Sequence, residues 1–112
     1  MNSFYIDIVF MFLFLYYQLF LYYFYTALKL GLLDLPKKLN VIKSHEVGID
    51  LKLPGGQNHP AGRNRSVLWS ATFESIEDYE SYDTSKEHIN VVTSLIKPII
   101  VPGSRSAIQY RL

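Results

Sequence analysis

Residues 73–100 read FESIEDYESYDTSKEHINVVTSLIKPII, and this stretch decides the fold. Ser75 followed by Asp78 predicts a helix N-cap, the hydroxyl taking up N–H groups that a first turn leaves without partners. Thr84 followed by Glu87 repeats the device with the residue pair of a capping box. Between the two starts the chain passes through Tyr82 and Asp83, so a short helix breaks and restarts. Val91, Val92, Leu95 and Ile96 then form one apolar stripe at helical spacing. Lys97 places a cation near the C-terminus and Pro98 cannot continue the ladder, which ends the second helix.

Working outward, residues 67–73 (VLWSATF) form the clearest strand, with Val67, Trp69, Ala71 and Phe73 on one side and Leu68, Ser70 and Thr72 on the other. This predicts a central strand with a buried Trp69. On the far side, Pro102-Gly103 makes a turn into a last strand over residues 107–112, with Ile108 and Tyr110 sharing a face. Upstream, residues 41–51 alternate without a cleanly apolar face, which predicts an edge or interface strand with Gly48 allowing a bulge. Residues 52–66 (KLPGGQNHPAGRNRS) form a long surface loop. Gly55 and Gly56 have no following Lys-Ser/Thr, so a phosphate loop is excluded. Gly31 and Pro36 mark the end of the preceding helix.

A strand ending in Phe73-Glu74-Ser75, a tyrosine six residues before His88, and an apolar helix to Leu95-Ile96-Lys97-Pro98 together resemble the stress-responsive A/B-barrel family. Residues 35–50 (LPKKLNVIKSHEVGID) are similar to that family's end of helix one and its second strand, with the glycine at Gly48. The resemblance implies a ferredoxin-like βαββαβ fold whose subunits pair into a dimeric α+β barrel. It also implies a site. In a plant polyketide cyclase of the family, a Tyr and a His at this separation act together. His88 would then be the general base of an intramolecular aldol condensation, and Tyr82 would hydrogen-bond the carbonyl oxygen of a small apolar ligand. The chemistry suits the residue types, because histidine titrates near neutrality and a phenol can stabilise a developing oxyanion. The competing reading is structural, with the pair closing a polar network. The family's strand one usually reads His-Ile-Val-Leu-Phe-Lys-Phe. Its counterpart here, Asp7-Ile8-Val9-Phe10-Met11-Phe12, lacks the histidine and the lysine.

Composition bounds the rest. A chain of 112 residues is one domain at most. A formal charge of +1 with no clustered basic face excludes a nucleic-acid footprint. The absence of cysteine excludes disulfides, thiolate metal sites and a cysteine nucleophile. His45, His59 and His88 have no metal-ligand spacing, so neither metal nor cofactor is expected. The carboxylates Glu74, Glu77, Asp78, Glu80 and Asp83 read as the solvated face of a helix.

The charges are unevenly spread: of 21, only Asp7 and Lys29 precede Asp34. Residues 8–28 (IVFMFLFLYYQLFLYYFYTAL) carry no charge, Pro or Gly. As a continuous helix this run would cover about 30 Å, the hydrocarbon thickness of a bilayer. It therefore predicts a single transmembrane helix, dividing the chain into a hydrophobic N-terminal segment (1–33) and an A/B-barrel-like domain (34–112). In that reading the helix replaces the first strand and helix of the ferredoxin-like plan. Lys29, Lys37, Lys38 and Lys43 follow the run, so positive-inside bias places the C-terminal domain in the cytosol, where the sequon Asn64-Arg65-Ser66 would be silent. A signal peptide lacks its basic start and cleavage site here. Two rival readings exist: strand one over residues 5–14 with helix one over 16–33, or an N-terminus that is not the natural one. The functional expectation is thus a membrane-tethered A/B-barrel protein of unassigned activity that forms homodimers through its sheet. Its alternative is a cyclase or lyase using His88 and Tyr82.

Overall fold

The computed structural model describes residues 4–10, 18–55, 60 and 64–112. The chain runs β1 (Phe4–Phe10), α1 (Gln18–Lys38), β2 (Ser44–Ile49), β3 (Val67–Phe73), α2 (Ile76–Asp83), α3 (Lys86–Val91) and β4 (Ser106–Arg111). A π-helical turn, Val92–Ile96, extends α3 and is closed by the bond from Lys97 N–H to the Val92 carbonyl (2.9 Å). The four strands form one sheet in the order β2-β3-β1-β4, with every neighbouring pair antiparallel. Sheet order and connectivity are those of a ferredoxin-like α+β domain.

The first strand corrects the expectation of a membrane span. Residues 8–10 are extended, not helical: they pair with Trp69, Leu68 and Val67 of β3. Residues 11–17 of the expected span lie outside the described residues. The described helix runs from Gln18 to Lys38, so it takes in Lys29, Asp34, Lys37 and Lys38. Among the described residues no helix is long and apolar enough to cross a membrane. The single-pass topology, the attachment through the N-terminal segment and the cytosolic placement deduced from it fall with the span. The physical reason lies in the sheet order. An interior strand covered by helices needs apolar side chains at alternate positions, and Ile6 and Ile8 meet that need, both buried. Strand one and helix one are therefore both present, and the sheet has four strands.

α1 lays Leu28, Leu32 and Leu35 against the sheet, where they meet Ile6, Ile8, Trp69, Ala71 and Phe73 in one core with Tyr82 and Val91. Gly31 sits inside this helix rather than at its end. A side chain there would overlap Leu95, so the glycine lets α1 approach the π turn closely. Pro36 does not stop the helix, which continues two residues to Lys38 while Leu35 stays buried. β3 occupies the residues expected, with burial alternating at each position and Trp69 only 1% exposed. β2 lies at the sheet edge as its mixed pattern predicts, although its register with β3 is continuous and Gly48 makes no bulge.

Candidate functional site

The broken helix places the two residues singled out in the sequence, and its hydrogen bonds fix their spacing. Ser75 caps α2, its Oγ accepting from the Asp78 N–H at 3.1 Å. The second cap is Ser85, not Thr84. Because α2 runs through Asp83, Thr84 is spent closing it, its hydroxyl donating to the Glu80 carbonyl at 2.8 Å. The Ser85 hydroxyl then makes two bonds. It accepts from the His88 N–H at 3.1 Å and donates to the Tyr82 carbonyl at 2.7 Å. One hydroxyl thereby ties the backbone of Tyr82 to that of His88 across the break. A six-residue separation that crosses a helix break acquires a defined geometry in this way.

Tyr82 points inward and is 1% exposed. Its hydroxyl accepts from the Trp69 indole Nε1–H at 3.0 Å. Phe73 packs on its ring at a centroid separation of 5.2 Å, and His88 lies at 4.4 Å. Burial pushes the Tyr82 phenol far above its ordinary range, and the Trp69 hydrogen bond only partly offsets this. The group stays a protonated phenol. Among the described residues, the bond from Trp69 is the one its hydroxyl makes, so the phenolic hydrogen is available for donation.

His88 is held from the other side. Its Nδ1 lies 2.9 Å from the Asp83 carbonyl oxygen. A carbonyl can only accept, so Nδ1 carries a hydrogen, and the neutral tautomer this selects has its lone pair on Nε2. The Asp83 carboxylate stands at 4.0 Å from the same nitrogen, and the His88 side chain is 16% exposed.

Both side chains line one cavity of about 200 Å³ between the sheet and the helices. Ile8 and Trp69 form its floor, Leu32 comes from α1, Val91, Val92 and Ile96 form the apolar wall, and Arg105 stands at its rim. Two larger depressions, of about 430 Å³ between α1 and α3 and about 370 Å³ on the far face of the sheet, are shallower and more polar. Among the described residues no three His, Asp or Glu side chains converge as a metal site would require. His45 is separate from the cavity: it is exposed on β2, with its ring 5.9 Å from that of Trp69. His59 lies outside the described residues.

Sequence reasoning identified Trp69 only as core and passed over Arg105. Strand parity carries a signal for each. Trp69 shares a face with Phe73, against which the broken helix must pack, and Arg105 shares the parity of Ala107 and Gln109, opposite to that of Ile108 and Tyr110.

These elements and the cavity between them define a ferredoxin-like domain with an enclosed site under its helices. The chain belongs to the family described as the stress responsive A/B barrel domain, whose model matches residues 25–110. A dimeric protein of unknown function from Bacteroides fragilis has the same fold, with a TM-score of 0.79 at 19% identity over 98% of this chain and 96% of its own. Passiflora edulis hydroxynitrile lyase matches with a TM-score of 0.78 at 14% identity over 98% and 93% of the two chains. A family member with a ferredoxin-like fold from Mesorhizobium loti gives 0.68 at 15% identity over 98% and 96%. No curated protein matches the sequence.

Proposed function

We propose that the cavity is a carbonyl site in which His88 acts as general base and Tyr82 as hydrogen-bond donor, and that the protein is a lyase or cyclase making or breaking a carbon–carbon bond beside a carbonyl. One observation carries this reading: the Nδ1–H of His88 is tied to the Asp83 carbonyl, which leaves a basic Nε2 beside a phenol that remains protonated. In the condensing direction His88 takes a proton from the carbon next to the carbonyl, while the Tyr82 O–H stabilises the oxygen as charge moves onto it. In the cleaving direction His88 takes the proton of an adduct's hydroxyl, the carbonyl forms, and the carbon–carbon bond breaks with its electron pair on the departing carbon, which takes the proton back from His88. Kinship of fold with a hydroxynitrile lyase is consistent with the second direction.

Cavity volume bounds the substrate. A cavity of about 150 Å³ accepts benzene, whereas sites for drug-sized ligands hold about 300–1,000 Å³. At about 200 Å³ this site suits a carbonyl compound of one ring or a short chain, smaller than an extended poly-keto chain. We further propose that the protein works as a homodimer. The sheet face away from the helices carries Tyr5, Leu68, Thr72, Ile108 and Tyr110, and Ile108 is 58% exposed, a surface that a second copy would cover.

The test is deuterium exchange at the carbon next to the carbonyl of phenylacetone, followed by NMR in heavy water. The intact protein should accelerate exchange, His88→Ala should return it to the buffer rate, and Tyr82→Phe should slow it by about 10²-fold. Acceleration that survives His88→Ala would remove the base from the mechanism.

A further inference from the structure

Beyond Tyr82 and His88, the cavity lining is apolar with one exception at the rim. Arg105 is the single permanently charged side chain among the described lining residues. Arg105 is exposed and forms no ion pair with any described residue. Its position is set by the backbone before it. The Ser104 N–H donates to the Val101 carbonyl at 3.0 Å across Pro102-Gly103, and Gly103 has φ +75°. That is a type II turn, which needs positive φ at its third residue and so favours glycine there. Ser104 is buried at the end of the turn, which anchors the residue before Arg105. Beyond the turn, Gln109 and Ala107 pair with Ile6 and Ile8, which face the helices. Arg105 continues that alternation and so projects to the cavity side of the sheet. Its charge is felt inside: burial raises the pKa of both Tyr82 and Tyr79, and the guanidinium opposes that rise.

We infer that Arg105 is a specificity-determining residue and that the substrate of this site is a small carbonyl compound bearing a carboxylate, a short keto acid or the hydroxy acid derived from it. The inference rests on the carbonyl-site reading of His88 and Tyr82 and deepens it. The apolar body would lie against Ile8, Leu32 and Val91, and the carbonyl oxygen would meet the Tyr82 hydroxyl. The carboxylate would remain at the rim, where a planar guanidinium can hold it through two parallel hydrogen bonds. Charge balance selects a monoanion. One guanidinium outside any ion pair neutralises one negative charge, and a phosphate dianion would need a second permanent cation, which the described lining residues do not supply.

Trp69 provides the readout. It is the only tryptophan of the chain, and its indole N–H bonds to the Tyr82 hydroxyl, so its NMR signal reports on the cavity without ambiguity. Phenylpyruvate and phenylacetone differ only in a carboxylate replaced by a methyl group, and each is titrated against the full chain while that signal is followed. Phenylpyruvate should bind about tenfold more tightly or better, as expected for a charge-assisted pair at a solvent-accessible rim. Arg105→Gln should abolish the preference by bringing the two affinities together, whereas Arg105→Lys should keep part of it. An unshifted indole signal in each ligand-free variant verifies that the cavity is intact. A preference below tenfold, or one that survives Arg105→Gln, overturns the inference and leaves the carbonyl site standing. Phenyl phosphate binding more tightly than phenylpyruvate overturns the choice of a carboxylate. Failure of both phenylpyruvate and phenylacetone to move the Trp69 signal overturns the carbonyl site itself and the inference with it.

Discussion

The two faces of the sheet are built from the same strands, yet they differ in almost every physical respect. On the helix side, alternate residues of β1 and β3 (Ile6, Ile8, Trp69, Ala71, Phe73) are buried in one core. On the other side, the residues between them form polar cross-strand rows. Glu46, Ser70, Asp7 and Ile108 stand in register across the sheet, and Ser44, Thr72, Tyr5 and Tyr110 form the next row. The Ser44 and Thr72 hydroxyls are hydrogen-bonded, Tyr5 stacks on Tyr110 at 5.1 Å, and the Tyr110 hydroxyl donates to Asp7 Oδ2 at 3.2 Å. The core and the candidate site thus share one face. The other is satisfied locally and left free for association. Substitutions at neighbouring positions of a single strand should therefore have very different consequences.

Trp69→Ala should give the largest effect. Trp69 fills the centre of the helix side and holds the Tyr82 hydroxyl, so its truncation should cost about 3–5 kcal/mol in urea unfolding. A loss below about 1 kcal/mol would mean that the buried face is not the stabilising one.

Tyr82→Phe should come next. It keeps the ring and leaves the buried Trp69 N–H without an acceptor, a loss of about 1–3 kcal/mol. The variant also has a pH signature. Burial raises the Tyr82 phenol above its ordinary value of 10.0, so this contribution to stability is complete below that value and declines as pH rises beyond it. There the unfolded chain releases a proton that the native protein keeps, and stability should fall by about 1.4 kcal/mol per pH unit for this group. Tyr25, Tyr79 and Tyr110 are also raised and remain in both proteins, so the difference between the two alkaline unfolding curves isolates Tyr82. Parallel curves would show that Tyr82 ionises as freely in the folded state as in the unfolded one.

Ser85→Ala should cost about 1 kcal/mol as a lost N-cap, with a smaller loss for Thr84→Ala. The same change removes the hydroxyl that ties Tyr82 to His88, so exchange catalysis should fall more than stability does. A larger loss for Thr84→Ala than for Ser85→Ala would place the cap at Thr84 after all.

Legibility in the sequence divides along the same line. β3 was readable because burial alternates along it without exception, and the break in the helix was readable because each start carries a hydroxyl cap. The second cap was misplaced by one residue, since Thr84 and Ser85 are chemically near-equivalent and only the length of α2 separates their roles. The N-terminal segment misled for a different reason. Asp7 is the one charged residue of β1, and the apolar run continues past Phe10 with no Gly or Pro to separate strand from helix. α1 also exposes large apolar side chains, Tyr23 at 67% and Leu30 at 62%, so its outer face does not announce water. The Tyr82–His88 pair was legible only through resemblance. No spacing rule spans a helix break whose geometry depends on hydrogen bonds to Ser85 and to the Asp83 carbonyl.

The smallest expected effect on folding is also the sharpest test of the contrast. Ser70 is the neighbour of Trp69 in β3, and its side chain projects to the opposite face, in register between Glu46 on β2 and Asp7 on β1. Ser70→Asp would set three carboxylates in one cross-strand row. Like charges at facing positions destabilise a sheet by roughly 0.2–1 kcal/mol. Folding of the isolated chain should therefore barely change, in contrast to the loss at the preceding residue. Association should respond differently. In the proposed dimer this row would lie between two copies, where the added charges are removed from water and doubled by the partner, and a buried unpaired carboxylate is far more costly than an exposed one. Sedimentation should then show the variant shifted to monomer at concentrations where the natural protein is dimeric. Added salt should restore little of the dimer, because desolvation rather than long-range repulsion would dominate. If Ser70→Asp remains fully dimeric, the open face is not the interface. If it unfolds the chain as Trp69→Ala does, the two faces are not energetically distinct.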